Sequence, residues 1–211
     1  MTTSDDLVLV GRSSSHFTRT ARLFALELGV PHEFRPVFDM TTTDPSTYAG
    51  NPALKVPVLI DAQGPLYGTE NICRALTRRS GLGQRVVLRG AVDDRLVANA
   101  EELVLHAMGT GVILIVTTAS GAHPAPPAKL RASLENALAF FDTNLNGVLA
   151  ALPSDRLLSF FEAALFSLVT HLPFRKVMDP RAYARLMAFC ASFADRASAR
   201  ATEYHFDQPP A

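Results

Sequence analysis

Asn51-Pro52-Ala53-Leu54-Lys55-Val56-Pro57-Val58-Leu59-Ile60-Asp61, followed closely by Thr69-Glu70-Asn71-Ile72, is the stretch from which the fold of this chain can be read. Pro57 stands between two valines at the head of an apolar run. Inside a central strand a proline removes a ladder hydrogen bond, so it is expected at a strand's first residue or at an edge. Backbone just ahead of it then lacks a sheet partner and is open to an extended, peptide-like ligand. Ala62-Gln63-Gly64 reads as a hairpin turn, and Glu70 as the acidic opening of a helix. A free backbone edge and a carboxylate at a helix start together make a cradle for a small peptide.

Upstream, the apolar run at residues 7–10 reads as a buried strand. The polar turn from Gly11 to His16 leads into a helix with Phe17, Ala21, Phe24, Ala25 and Leu28 on one face. Gly29 ends that helix, and Pro31 prevents its continuation. Residues 34–38 read as a strand that Pro36 places at an edge, 58–60 as a central strand and 65–67 as a short one. A helix from Glu70 to about Arg78 stops before Gly81 and Gly83. The order is βαβ and then ββα. A right-handed crossover puts the Gly11–His16 turn at a strand's carboxyl end, where ligand crevices of such sheets lie.

After Gly83 the period becomes helical. Leu96, Leu103, Val104 and Ala107 share one helix, and Leu130, Leu134, Leu138, Phe141 and Leu145 another, with a loop at Pro124, Pro126 and Pro127 between them. Ser159 and Glu162 have the spacing of a capping box, opening a helix over 160–172 that is apolar almost all round and therefore central. A last helix is expected from Pro180 through Leu186, Phe189 and Phe193.

The composition narrows the function. Twenty basic and twenty acidic residues cancel, leaving no net field to gather nucleic acid or an anionic membrane. The first six residues are polar and acidic, unlike a secretory signal, and Val112–Val116 is too short a run to span a bilayer. Cys73 and Cys190 form no CxxC pair, which points to a reducing cytoplasm, and both read as core residues. The six histidines show no metal-ligand spacing, and Gly109-Thr110-Gly111 lacks the Lys-Ser/Thr pair of a phosphate loop.

Val56-Pro57, Thr69-Glu70-Asn71, Ser15-His16-Phe17-Thr18-Arg19 and the distant Ser159–Phe166 segment together resemble the glutathione transferase family. The resemblance implies a thioredoxin-like α/β domain over residues 1–80, ordered βαβ-ββα, and an all-α domain over 86–211 that lines a co-substrate pocket. Glutathione would be the co-substrate, a small hydrophobic electrophile the acceptor, a homodimer the assembly, and no metal would be needed. Val56 would pair its backbone with the cysteinyl part of glutathione, ahead of a cis Pro57. Lys55 would meet the glycine carboxylate, Glu70 the γ-glutamyl ammonium, and the Asn71 amide the γ-glutamyl carboxylate. His106 and Met108 would line the co-substrate pocket. Asn71 stands where serine is usual, and His16, expected to be exposed, where proline is common.

No tyrosine or cysteine lies at the end of the first strand, so the resemblance points to a serine-type site: Ser15 first, Ser14 next by register, with Ser13 also in the cluster. The serine would stabilise a thiolate. Lowering a thiol from ~8.5 by two units takes roughly 2.7 kcal/mol. A hydroxyl hydrogen bond to an anion supplies about 1.5–3 kcal/mol and a helix N-terminus about 0.3–1 more. Arg12 and Arg19 would add positive potential, and the same serines are also natural helix caps. The resemblance equally admits a non-catalytic glutathione transferase-like scaffold and a glutathione-dependent isomerase or reductase.

Overall fold

The apolar run near the start forms the strand β1 (Val8–Gly11) in the computed structural model, which describes residues 7–119 and 128–209. β1 pairs in parallel with β2 (Glu33–Pro36) and antiparallel with β3 (Val58–Asp61), and β3 pairs antiparallel with β4 (Gly64–Tyr67). The sheet order is β2-β1-β3-β4, so Pro36 lies on an edge strand, where its missing N–H costs nothing. Helix α1 (His16–Glu27) connects β1 to β2, and α2 (Thr69–Ser80) follows β4 and packs on α1.

Alternation along the strands divides the core. Leu9 and Leu59 are buried, as are Leu23 and Phe24 of α1 and Ile72, Cys73 and Leu76 of α2. Val10 and Val58 instead cluster with Val37 and the fully buried Tyr48, and Leu54 and Val56 pack against that cluster. The segment leading to Pro57 therefore rides on the sheet. Gly11 is required by a close approach: a Cβ there would stand 2.3 Å from Cγ2 of Thr18.

The chain divides into two units, one holding the residues up to Val86 and those from Ala197, the other Val87–Arg196. This departs from the expected division, which gave everything from 86 onward to the helical domain. The reason lies in α7 (Ala197–Ala201) and the segment after it, which pack on α1. Arg19, 5% exposed, donates to the Ala199 carbonyl at 3.0 Å and to Thr202 Oγ1 at 3.3 Å, and lies over the Tyr204 ring.

The second unit is helical: α3 (Arg95–Ala119), α4 (Ala128–Ala151), α5 (Phe160–Phe174) and α6 (Ala184–Ala194). α3 packs on α4 and α5, and α6 on α4 and α5. As its composition predicts, α5 is buried from Phe160 to Val169. The proline-rich loop at 124–127 and the acidic start of the chain lie outside the described residues. α3 is longer than the expected helix and absorbs the 112–116 run. Its Arg95–Thr118 stretch, with hydropathy 1.5 and 39% of its window buried, is long and apolar enough to cross a membrane by length and composition. The core helix of a soluble protein passes the same test.

Two local expectations need correction or extension. The last helix does not start at Pro180, which opens only a 3-10 turn; Asp142 of α4 then accepts from the amides of Arg185 and Leu186 at 2.8 and 3.0 Å and so caps α6 from a distance. In the capping box, Ser159 Oγ accepts from the Glu162 amide at 3.1 Å and donates to the Glu162 carboxylate at 2.7 Å. Arg156 then grips both carboxylate oxygens at 2.9 Å.

Both cysteines are buried and outside any disulfide. Burial, with a smaller push from the Glu70 charge, holds the Cys73 thiol well above its ordinary value. An aromatic disulfide reagent at neutral pH is expected to leave both thiols untouched in the folded protein and to titrate two per chain in denaturant. Prompt reaction of Cys73 without denaturant would contradict its burial.

Candidate functional site

Strand register collects three of the resemblance segments at one end of the sheet. Val10 of β1 faces Val58 of β3, which faces Tyr67 of β4. The residues after β1 (the serine turn), those before β3 (Lys55-Val56-Pro57) and those after β4 (the start of α2) therefore meet there. Thr69 adds a direct tie, donating at 3.4 Å to the Phe17 carbonyl of α1.

In the serine turn, the Ser15 amide donates to the Arg12 carbonyl at 3.1 Å, and the Arg12 amide to Thr18 Oγ1 at 3.3 Å. Ser15 is the N-cap of α1, its hydroxyl oxygen accepting from the Thr18 amide at 3.2 Å. Capping takes a lone pair and leaves the O–H able to donate, so cap and thiolate donor are compatible roles for one hydroxyl. Ser15 is half-buried, whereas Ser13 and Ser14 are both buried. Ser13 is tied to the C-terminal segment and to α1, its amide donating to Asp207 at 2.8 Å and its hydroxyl accepting from Arg22 at 3.4 Å.

His16 corrects an expectation. It is 1% exposed and in ring contact with Phe17, at a helix entry where Ser14, Thr18 and Arg19 are buried as well. Arg19 is turned toward α7, its guanidinium held by the Ala199 carbonyl, the Thr202 hydroxyl and the Tyr204 ring. Arg12 remains beside the turn, with its Nε buried and unpartnered among the described residues. Its charge contributes to holding the Asp39 carboxyl below the usual range, behind the larger effect of hydrogen bonds from Thr41.

Val56 and Pro57 are joined by a cis peptide bond. The β1–β3 ladder ends at Val58, so Val56 lies beyond it. Lys55 is exposed. Asn51, which sequence reasoning passed over, shapes this loop: buried, it donates to the Lys55 carbonyl at 2.8 Å and accepts from the Ala53 amide at 3.0 Å. The Asn51-Pro52 dipeptide was the available signal, since asparagine before proline favours a turn.

At α2 the N-cap is Gly68, at φ 88°, with no side-chain cap. That backbone conformation disfavours the usual Ser, Thr and Asp caps, so no N-cap side chain takes the amides of the first turn. Glu70 pairs with Arg74 at 2.7 Å and is partly exposed. Asn71 is exposed and folds its side-chain amide back on the Tyr67 carbonyl at 3.0 Å, leaving its backbone N–H in that first turn.

His106 and Met108 belong to the second unit. His106 is exposed, pairs with Glu102 at 3.1 Å and borders a cleft of about 540 Å3 between α3 and α4, with Leu103, Lys129, Ser133 and Phe140. Met108 has no exposed surface, which overturns its expected place in a pocket wall. Two residues along a helix is about 200°, so these side chains leave α3 on different faces.

Residues 14–79 match the family model of the glutathione S-transferase N-terminal domain. Over these residues the first unit carries that N-terminal domain. The second completes the glutathione S-transferase fold, as solved structures show. A glutathione S-transferase from Methylobacillus flagellatus, with glutathione bound, has a TM-score of 0.73 at 22% identity, the match covering 94% of this chain and 100% of that one. One from Methylobacterium radiotolerans, in complex with glutathione sulfonate, has a TM-score of 0.71 at 20% identity over 98% and 99%. Glutathione transferase E6 of Drosophila melanogaster gives 0.72 at 18% identity over 93% and 90%. No curated protein sequence matches the chain.

Proposed function

We propose that this protein is a cytoplasmic, homodimeric glutathione transferase of the serine type, joining the glutathione thiolate to a small hydrophobic electrophile. The observation that carries this reading is the convergence of the serine turn, Val56-Pro57 and the α2 start at one end of the sheet. The Ser15 hydroxyl donates to the thiolate while its oxygen caps α1; Ser14 is the alternative donor. Val56 pairs its backbone with the cysteinyl residue, Lys55 meets the glycine carboxylate, and the amides at the start of α2, including that of Asn71, receive the γ-glutamyl carboxylate. Glu70, oriented by Arg74, takes the γ-glutamyl ammonium. Arg12 adds positive potential, and His106 is the candidate contact for the electrophile on the helical unit.

Calorimetric titration with glutathione at neutral pH tests the cradle. Binding in the micromolar to low millimolar range is expected, with Glu70→Ala weakening it by roughly 10- to 150-fold, the worth of a hydrogen bond to a charged group. Absence of heat and of thermal stabilisation at saturating ligand would remove glutathione from the function and leave a scaffold with the transferase fold.

A further inference from the structure

The segment after α7 does more than cover α1. Asp207, its side chain 6% exposed, places a carboxylate oxygen 2.8 Å from the Ser13 amide, across 194 positions of sequence. Arg22 bridges the same two elements: it donates to Ser13 Oγ at 3.4 Å and to the Ala201 carbonyl at 3.3 Å, and the Asp207 charge acts on it. His205 lies on the outer side of the carboxylate at 3.6 Å. Arg19 fixes the base of the segment through Ala199 and Thr202. Two residues beyond Ser13 is Ser15, whose hydroxyl must point at the ligand sulfur while capping Thr18.

We propose that Asp207 is a positioning residue of the glutathione site, acting through the Ser13 amide to hold the turn that presents Ser15. This rests on the glutathione reading above. A free turn amide would exchange partners with water, and the turn, with a helix starting at its far end, would sample other registers of Ser13–Ser15. A charge-assisted hydrogen bond donated by that amide to the shielded Asp207 carboxylate selects one. Arg22 offsets the negative charge that Asp207 brings near the thiolate. The carboxylate touches neither ligand nor reacting atom, so its effect falls on thiol ionisation and turnover and spares the γ-glutamyl and glycine contacts.

The experiment compares the full chain with its Asp207→Ala and Asp207→Asn variants. Three quantities are read: glutathione Kd by calorimetry, the pKa of bound glutathione from thiolate absorbance in the ultraviolet, and hydrogen exchange of the Ser13 amide by NMR. Asp207→Ala is expected to keep Kd within about threefold, raise the bound-thiol pKa by about one unit, a tenfold fall in the thiolate-to-thiol ratio, and speed Ser13 exchange. Asp207→Asn, isosteric and still an acceptor, should fall between, and it carries the test should the alanine variant not fold. An unchanged thiol pKa with intact glutathione binding overturns the positioning role. So does a gain in thiolate, which would make the segment an inhibitory strap. Failure of the unaltered protein to bind glutathione overturns the parent reading instead, and the positioning role with it.

Discussion

Replacing Glu162 by alanine is expected to cost about 3 kcal/mol of stability and to lower the unfolding midpoint by roughly 6–12 °C. The carboxylate is nearly buried, with both oxygens held by Arg156 and one also by the Ser159 hydroxyl. Removing it strands a guanidinium in a site closed to most water. Burial pushes the Glu162 carboxyl up, but hydrogen bonds from Arg156 and Ser159 and the charges of Arg156 and Arg196 outweigh it, leaving the group below its usual value. A depressed folded pKa adds stability that is complete above the unfolded value near ~4.3 and is lost as pH falls through the folded one. Denaturant unfolding of wild type and Glu162→Ala should therefore differ most at neutral pH and converge in acid. Glu162→Gln, which keeps volume and a hydrogen bond to Ser159, should lose less than the alanine variant. Equal stability of all three at pH 7 would show that the pair contributes nothing.

Ser15→Ala should lower conjugation efficiency by roughly 10- to 150-fold, the range for a hydrogen bond to an anion. It should also cost ~1 kcal/mol of stability through the lost cap. Ser15→Asp separates the two. A carboxylate caps a helix as well as a hydroxyl does, so this variant should be as stable as wild type. It offers no proton to the sulfur and places a negative charge beside it, so thiolate formation should fall further than in the alanine variant. Ser15→Thr should restore much of both. Stopped-flow conjugation and thermal melts read the two effects independently. If Ser15→Ala loses stability alone, the residue is only a cap and Ser14 becomes the donor to test.

Elements whose signal is local are legible in the amino-acid sequence alone. Pro36 marks an edge strand and Pro57 the residue just ahead of β3, because a proline's missing N–H acts where it stands. Ser159 and Glu162, three apart, announce the start of α5. The fold's first unit belongs to this class, as do the segments before β3 and at the start of α2, which strand register brings to one end of the sheet. What escapes depends on partners brought together only by folding. Asp142 caps α6 from another helix, and Arg156 completes the capping box from outside it. His16 and Met108 defy the sequence reading because exposure depends on what packs over a helix, and helical period cannot reveal a covering segment. Asp207 carries no sequence signal at all, since its partner lies at the opposite end of the chain.

The return of Ala197 onward to the first unit has a consequence for the order of folding. A contact between residues 13 and 207 closes a very long loop, and such closure is entropically costly until the intervening chain is compact. The helical unit is, in chain terms, an insertion within the first, and its collapse is what brings the two ends near. Synthesis also delivers the N-terminal sheet well before its last layer. The serine turn is thus set late, after both sheet and helices exist. If Asp207 has the proposed positioning role, assembly intermediates with a complete sheet but no C-terminal layer would ionise a bound thiol less readily, and the fragment ending at Val86 would share that deficit.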